Sequence, residues 1–599
     1  MQLINRVLCS PASLAVLWQS GPDVLDNIME GVPDVPIDEM ISSVMSAKKQ
    51  AQEKRPPHTL AGFATPALVP LAHWGAAAVH IASKLSDAAQ LHRLAAALSF
   101  DEWRMAAQIG GVTALRAALA FKGAITSTDV AANKALFDAV AGYAASGGVP
   151  LHTLYVEDDA TRAVAEYAAW VHGSTRVSIC DYPFSLSMNA KASILAWEGY
   201  TAQRYAERAA WGTRCPSKIR AEEDMRVPGA GSSGGTLCID VRREHVVADS
   251  MVLLSEKDLH IPLLVRFAGE DAQDIGGVRK EWLSILCEAL EQSALFVDLG
   301  VTEPQMNGHL WFSGRDVDDG TAELFGIALG LALFYQVQVP LRVSPVLYKL
   351  LLWHAHGGTA PLGIDDLSLL KPALGKGVRH MLSYQGDSFE DTFQVTWSVS
   401  TPDGQVSLVP GGSERLVTAA TCTAYAARLV HYELIDAPGA ALNALYRGFA
   451  RVVVPSSGRS QMDLLSADEL AMLLCGREER LDINALRDAA VHVGFSARSP
   501  PRVLANVDDF WHIWASLERD DQHLLLAYIT GSPRIPALGP RALGLRIHHV
   551  DGPILGQMDA LPTSSTCTST LFLPTYASRE ILEAKIRLAL VHSRGFGLA

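Results

Sequence analysis

The chain has 599 residues, a formal net charge of −14, a pI near 5.7 and 49% hydrophobic residues. That length exceeds a single core and predicts three or four domains or subdomains, while the acidic balance argues against a nucleic-acid partner, which is met by a basic face. Eight cysteines with no CxxC pair predict free thiols in a reducing compartment, and no apolar run approaches the roughly 20 residues that span a bilayer. The expectation is a cytoplasmic protein, with the nucleus as the alternative, and no membrane span. The first 20 residues hold one arginine and a broken apolar stretch, unlike a signal peptide.

Residues 1–180 are rich in alanine and leucine at helical spacing, as in LHRLAAALSF (91–100) and GGVTALRAALAF (110–121), and predict an all-α, solenoid-like stack without a strict repeat. The charged run 48–57 ends in two prolines and reads as a solvated linker. Residues 181–235 form a helical extension that begins after DYPF and closes in the Gly/Ser linker PGAGSSGG (228–235). That linker spells GxGxxG at Gly229, Gly231 and Gly234. A dinucleotide loop needs a strand before it and a helix after it, and TLCIDVRR after it reads as a strand, so a linker is the better reading.

TLCIDVRR (236–243) and PLLVRFAG (262–269) predict strands, and VRKEWLSILCEALEQ (278–292) an amphipathic helix. Glu270, Asp271 and Asp274 lie between them, close to Gly276 and Gly277. Paired acids suit metal or acid–base chemistry, but they suit a turn and a helix N-terminus better. Gly326 and Gly330 sit four apart on the apolar run 324–334, a spacing that lets another element approach closely in a core. His354 and His356 form an HxH pair without a third ligand nearby, so packing is preferred over a metal site. Residues 362–387 read as helical and more apolar than a small unit buries, which points to a partner groove. A leucine-rich helix stops at Cys475-Gly476, and Asp482 is placed to cap the next one. Two helices follow over 507–532, then a strand over 545–550 and a last helix over 578–593.

Between that strand and that helix lies LPTSSTCTSTLFLPTY (561–576), with Cys567 at its centre. Pro562 and Pro574 bound it, and proline cannot donate to a ladder. The segment predicts a Ser/Thr-rich loop displaying a thiol, then a short strand. A buried structural cysteine is the plain alternative for such a residue taken alone.

This segment resembles the catalytic-cysteine segment of HECT-type E3 ubiquitin ligases. The resemblance extends in order through LLVRFAGEDAQDIGGVRKEW, LFGIALGLALF, VPLRVSPVLYKLLL, DDLSLLKPAL, ALYRGFARVVVP, SADELAMLLCG, DDFWHIWASL and AYITGSPRIP, covering residues 236–599. DYPFSLSMNAKASIL is similar to the helical extension before the domain in the E6AP and HERC-like branch. The resemblance implies an α+β fold with a bilobal HECT domain. A mostly helical N-lobe with small sheets would span 236–474, with an E2-binding subdomain at about 341–435. Residues 475–480 would be the hinge, and a smaller α/β C-lobe would span 481–599. It further implies that Cys567 takes ubiquitin from a charged E2 as a thioester and passes it to a lysine of a protein substrate. Thr566 would support the loop, and Phe596, four residues from the end, would serve lysine transfer. Leu374, Val378, Tyr384 and Tyr425 would line the E2 groove. No cofactor and no metal are implied.

The chemistry needs no adjacent base. An unperturbed thiol, with a pKa of about 8.5, is already partly thiolate at neutral pH, and exchange of one thioester for another is nearly balanced. The chain departs from the family at Ser564-Ser565, where Ala-His is frequent, at Thr568, where phenylalanine is common, and at Thr421, where asparagine is usual. The alternatives are a catalytically weak HECT-like scaffold that binds E2 or ubiquitin, and a cysteine hydrolase that uses His548 or His549.

Overall fold

The structure is a computed structural model and describes residues 160–173, 178–211, 236–270, 277–299, 310–314, 318–356, 362–386, 388–401, 404–453, 458–477, 479–496, 498–550 and 560–593. The helical stack expected over 1–159, both linkers with the GxGxxG sequence, Asp271, Asp274 and Phe596 lie outside the described residues. The chain divides into two compact units, residues 1–195 with 458–464, and residues 196–457 with 465–599.

In the first unit, α1 (Ala160–Val171) buries Ala163, Tyr167 and Trp170. The DYPF sequence forms two short 3₁₀ turns, and Pro183 opens the second of them. Ser178 and Asp181 cap the first turn reciprocally, and Asp181 also accepts from Trp170 Nε1 at 2.8 Å. The Arg459 guanidinium lies over the Trp170 ring, 4.7 Å from its centroid. α2 (Met188–Trp211), whose residues from Ala196 on belong to the second unit, starts where the Ser187 hydroxyl accepts from the Ala190 N–H.

The second unit is α+β, with small sheets among helices, as the resemblance implied. β1 (Leu237–Val241) pairs in parallel with β2 (Leu263–Phe267), joined by α3 (Val246–Leu254). α4 (Gly277–Glu291) buries Trp282, Leu283, Leu286 and Leu290, and β3 (Phe296–Asp298) pairs with β4 (Leu310–Phe312). α5 (Asp319–Phe334), α6 (Val346–His356), α7 (Ile364–Leu370), α8 (Pro372–Ser383) and α9 (Phe389–Phe393) follow. The hairpin of β5 (Ser398–Thr401) and β6 (Gly404–Ser407) leads to α10 (Cys422–His431) and α11 (Gly439–Val453).

α5 and α11 meet along their length, and glycine sets their separation. A Cβ at Gly326 would overlap the Leu445 carbonyl, and one at Gly448 would overlap the Glu323 carbonyl. The small-residue spacing on the apolar run therefore serves core packing. α12 (Ala467–Cys475) ends at Gly476, whose φ of +80° favours glycine.

Beyond it, α13 (Ile483–Ala489) is capped by Asp482, which accepts from Ala485 N at 3.0 Å. β7 (Val491–Val493), α14 (Pro501–Ser516), α15 (Arg519–Thr530), β8 (Arg546–Val550), β9 (Thr563–Ser565), β10 (Thr570–Pro574) and α16 (Arg579–Ser593) complete the chain. Their sheet has the order β7-β8-β10-β9, parallel except for the β10–β9 pair. Ile547, Leu571 and Leu573 from the sheet pack with Phe510, Trp514, Leu526, Ile529, Leu582 and Ile586 in one core. The stretch before Cys567, expected as loop, is the strand β9. A Thr-Ser-Ser run has no apolar alternation to betray a strand, and its pairing with β10 supplies the order instead. Among the described residues no helix is long and apolar enough to cross a membrane.

Candidate active site

Cys567 lies in a four-residue connection between β9 and β10, on a 3₁₀ turn over Thr566–Thr568. The turn closes with Ser569 N donating to Thr566 O at 3.2 Å. Ser569 adopts φ +48°, left-handed and costly for a residue other than glycine. It is held there by 6% exposure and by Arg546 N donating to its carbonyl at 2.9 Å. β8 thus fixes the turn from one side.

Both ends of the hairpin are tied to helices. Upstream, Tyr528 of α15 donates to Pro562 O at 2.6 Å, and Tyr576 donates to Ala560 O at 2.8 Å. Burial pushes both phenols above their ordinary value, so both remain donors at neutral pH. Downstream, Asn506 of α14 donates from Nδ2 to Pro574 O at 2.9 Å and accepts from Tyr576 N at 3.1 Å. Arg502 Nε donates to Tyr576 O at 2.6 Å. The exit after Pro574 is therefore pinned by side chains one helical turn apart. These four residues were not singled out by sequence reasoning. A buried asparagine in the otherwise apolar helix start VLANV was the one local signal.

The turn also meets α4, which packs against it. Lys280 Nζ donates to Thr530 O at 3.0 Å, and a Cβ at Gly531 would touch Thr566 at 3.4 Å. Thr566 itself is exposed and contributes the carbonyl that closes the turn.

His548 and His549 sit elsewhere. On β8 they pair with Phe572 and Leu573, two and three rows beyond the Arg546–Thr570 pair next to the turn, or about 7 and 10 Å along the strand. His549 Nε2 lies 2.9 Å from Thr575 Oγ1. The register gives neither histidine to a thiol at Cys567. Three other thiols are buried in the core: burial pushes Cys180 up to about 12 and raises Cys287 and Cys475 as well.

The first residues of the expected hinge make defined contacts. Cys475 Sγ lies 3.0 Å from the Tyr348 hydroxyl in the core, and Val339 N donates to Leu474 O at 2.9 Å. Arg477 N donates to Ile535 O and its Nη2 to Ala537 O, both at 2.6 Å. At the end of α4, Glu291 accepts from Arg342 N at 2.6 Å. Burial raises the Glu291 carboxyl to about 7, against the opposing pull of Arg342 and Arg534 and with Glu288 adding to the rise. A carboxyl raised in the native state contributes its stability below the ordinary value and loses it as pH rises through about 7. Thermal midpoints between pH 5 and 8 should therefore fall with rising pH more steeply in the wild type than in Glu291→Gln. Equal slopes would contradict this.

The expected groove residues lie on α8, at its end, and on α10. Val378 and Tyr425 are packed inward at 3% and 6% exposure, Tyr425 edge-on to Trp397 with centroids 5.7 Å apart. Leu374 and Tyr384 are half-exposed, and Tyr384 meets Phe393 edge-on at 5.2 Å. Of the four, Leu374 and Tyr384 are the more accessible to solvent. Thr421 precedes α10, its Oγ1 accepting from Thr418 N at 2.9 Å. Glu270 is bound to Arg243, which also reaches Glu281 at 2.8 Å, a structural use of that acid. His354 stacks on Tyr446 with centroids 4.8 Å apart, and burial lowers its pKa.

The family described as HECT-domain (ubiquitin-transferase) matches residues 285–599. The chain is 30% identical over 450 residues to the probable E3 ubiquitin-protein ligase HUL4 of Eremothecium gossypii, covering 71% of this chain and 49% of that protein. It is 28% identical over 464 residues to mug30 of Schizosaccharomyces pombe, with 72% and 54% covered, and 30% identical over 455 residues to HECTD2 of Homo sapiens, again with 72% and 54% covered. Both carry the same description, probable E3 ubiquitin-protein ligase. The chain spans about half the length of these curated relatives.

Proposed function

From a chain that belongs to the HECT-domain (ubiquitin-transferase) family, we propose an E3 ubiquitin ligase that accepts ubiquitin on Cys567 from a charged E2 and passes it to a substrate lysine. The observation that carries this reading is the placement of Cys567 on a turn braced by β8, α14 and α15, inside the span that matches the family. The Cys567 thiolate attacks the carbonyl of the E2–ubiquitin thioester, a new thioester forms, and the E2 thiolate leaves. The neutral lysine amine then attacks, an isopeptide bond forms, the Cys567 thiolate departs, and the proton lost by the amine passes to water. The first step exchanges one thioester for another and the second runs downhill to an amide, so rigid positioning of the nucleophile is the main contribution required of the protein. Phe596 is assigned to the second step and Thr566 to support of the turn. The cytoplasm is the proposed location.

The E2 is proposed to dock on the subdomain carrying Leu374 and Tyr384. Within that subdomain, Lys371 and the buried Glu433, 2.6 Å apart, tie the start of α8 to the segment that follows α10. Leu374→Ala and Tyr384→Ala should each raise the E2 concentration needed for half-maximal transfer by about tenfold, with circular dichroism unchanged. Transfer at wild-type E2 dependence in both variants would remove this groove.

The non-catalytic scaffold has no specific observation in its favour. The hydrolase reading would need the histidines that the β8 register places away from the turn.

A further inference from the structure

The turn that carries Cys567 is closed by hydroxyl groups, and the geometry points to Thr568 as a positioning residue for ubiquitin transfer. This rests on the ligase reading above. Thr568 Oγ1 lies 2.9 Å from Ser565 Oγ, 3.3 Å from Ser565 O and 3.0 Å from Thr570 Oγ1, as donor to each in turn. Thr570 Oγ1 donates to the Thr568 carbonyl at 3.0 Å. A threonine hydroxyl has one proton, and given to Ser565 it reaches back to β9 while the Thr570 hydroxyl, donating to the Thr568 carbonyl, holds the same residue to β10.

Ser565 and Thr570 are partners in the β9–β10 register and form its last pair before the turn. Thr568 therefore ties both strands at the point where the ladder ends. One feature of the loop favours opening: its last residue, Ser569, is left-handed. On the loop side of that pair, the opposing bonds are the Ser569-to-Thr566 closure, the Arg546 contact to Ser569 and this hydroxyl cluster. Thr568 is exposed, so it contributes little burial, and its hold on the turn is through hydrogen bonds. Those bonds fix the backbone on the C-terminal side of Cys567, the atom frame from which an attacking sulfur is aimed. Thioester exchange requires alignment to a fraction of an ångström, so a looser frame slows the step without altering E2 affinity.

The full chain is compared as wild type, Thr568→Val, which keeps the shape and removes the hydroxyl, and Thr568→Ser, which keeps the hydroxyl. Single-turnover transfer from charged E2 is followed against E2 concentration, with iodoacetamide labelling of Cys567 by mass spectrometry in parallel. The saturating rate should fall about tenfold in Thr568→Val, with the half-saturating concentration within about twofold of wild type. Thr568→Ser should recover to within about twofold, and labelling should stay within about twofold throughout. Transfer in Thr568→Val at the wild-type rate, a loss confined to the half-saturating concentration, or no recovery in Thr568→Ser would overturn the role. A wild type that accepts no ubiquitin while its Cys567 is readily labelled would overturn the ligase reading, and this role with it.

Discussion

Cys567→Ser should replace a reductant-sensitive ubiquitin adduct with a slower-forming one that survives thiol, and Cys567→Ala should form none. In both variants ubiquitin transfer to lysine should drop to background, a loss on the order of a thousandfold or more. The cause is the nucleophile. A serine hydroxyl is a far weaker acid than a thiol, so almost none of it is ionised at neutral pH, and an oxyester is less activated toward an amine than a thioester. The frame around the residue survives the change, because the turn is held by backbone and neighbouring bonds: Ser569 to Thr566, Arg546 to Ser569, and the tyrosine ties upstream. Ligation at the wild-type rate in Cys567→Ala, with the adduct on another cysteine, would refute the assignment. Cys287 and Cys475 are poor substitutes, since burial keeps both protonated.

The second large effect is expected at Asn506, far from the chemistry in sequence. It is fully buried, and it satisfies a carbonyl at Pro574 and an amide at Tyr576 where β10 leaves the sheet. Asn506→Ala strands both groups in the core, and each buried unpaired group costs about 1–3 kcal/mol. Hydrogen exchange of β10 amides should accelerate by about tenfold or more, the unfolding midpoint should fall, and transfer through Cys567 should weaken while E2 dependence stays unchanged. Asn506→Asp keeps the acceptor for Tyr576 and loses the donor, so it should fall between the two. Wild-type exchange of β10 in Asn506→Ala would show that Arg502 suffices to hold the exit.

Much of this architecture is legible in the chain. Apolar periodicity marks α4, α5, α12, α14, α15 and α16, and Asp482 announces the start of α13 through the bond it makes. The hairpin β5–β6 passed unmarked despite the Pro-Asp-Gly turn signal at 402–404, because its strands carry serine, threonine and glutamine and lie mostly exposed. β9 was hidden for the same reason.

The bracing of the cysteine turn is illegible on different grounds. Arg502 and Tyr576 are 74 residues apart, and Lys280 and Thr530 are 250 apart, so no local pattern links them. The groove illustrates the converse. Val378 and Tyr425, expected at the groove, are buried, Tyr425 against Trp397, and nothing in the local sequence separates them from the more exposed Leu374 and Tyr384. Leu374, one helical turn before Val378, and Tyr384, at the end of α8, keep partial exposure.

The ligase account stands or falls on one measurement. The full chain is incubated with E1, a broad panel of E2 enzymes and ubiquitin, quenched without reductant, and digested for mass spectrometry. The account predicts a ubiquitin adduct on Cys567 with at least one E2, lost on treatment with thiol and absent from Cys567→Ala. A chain that carries no such adduct with any E2 of the panel, while folded and with Cys567 alkylated readily by iodoacetamide, would contradict it.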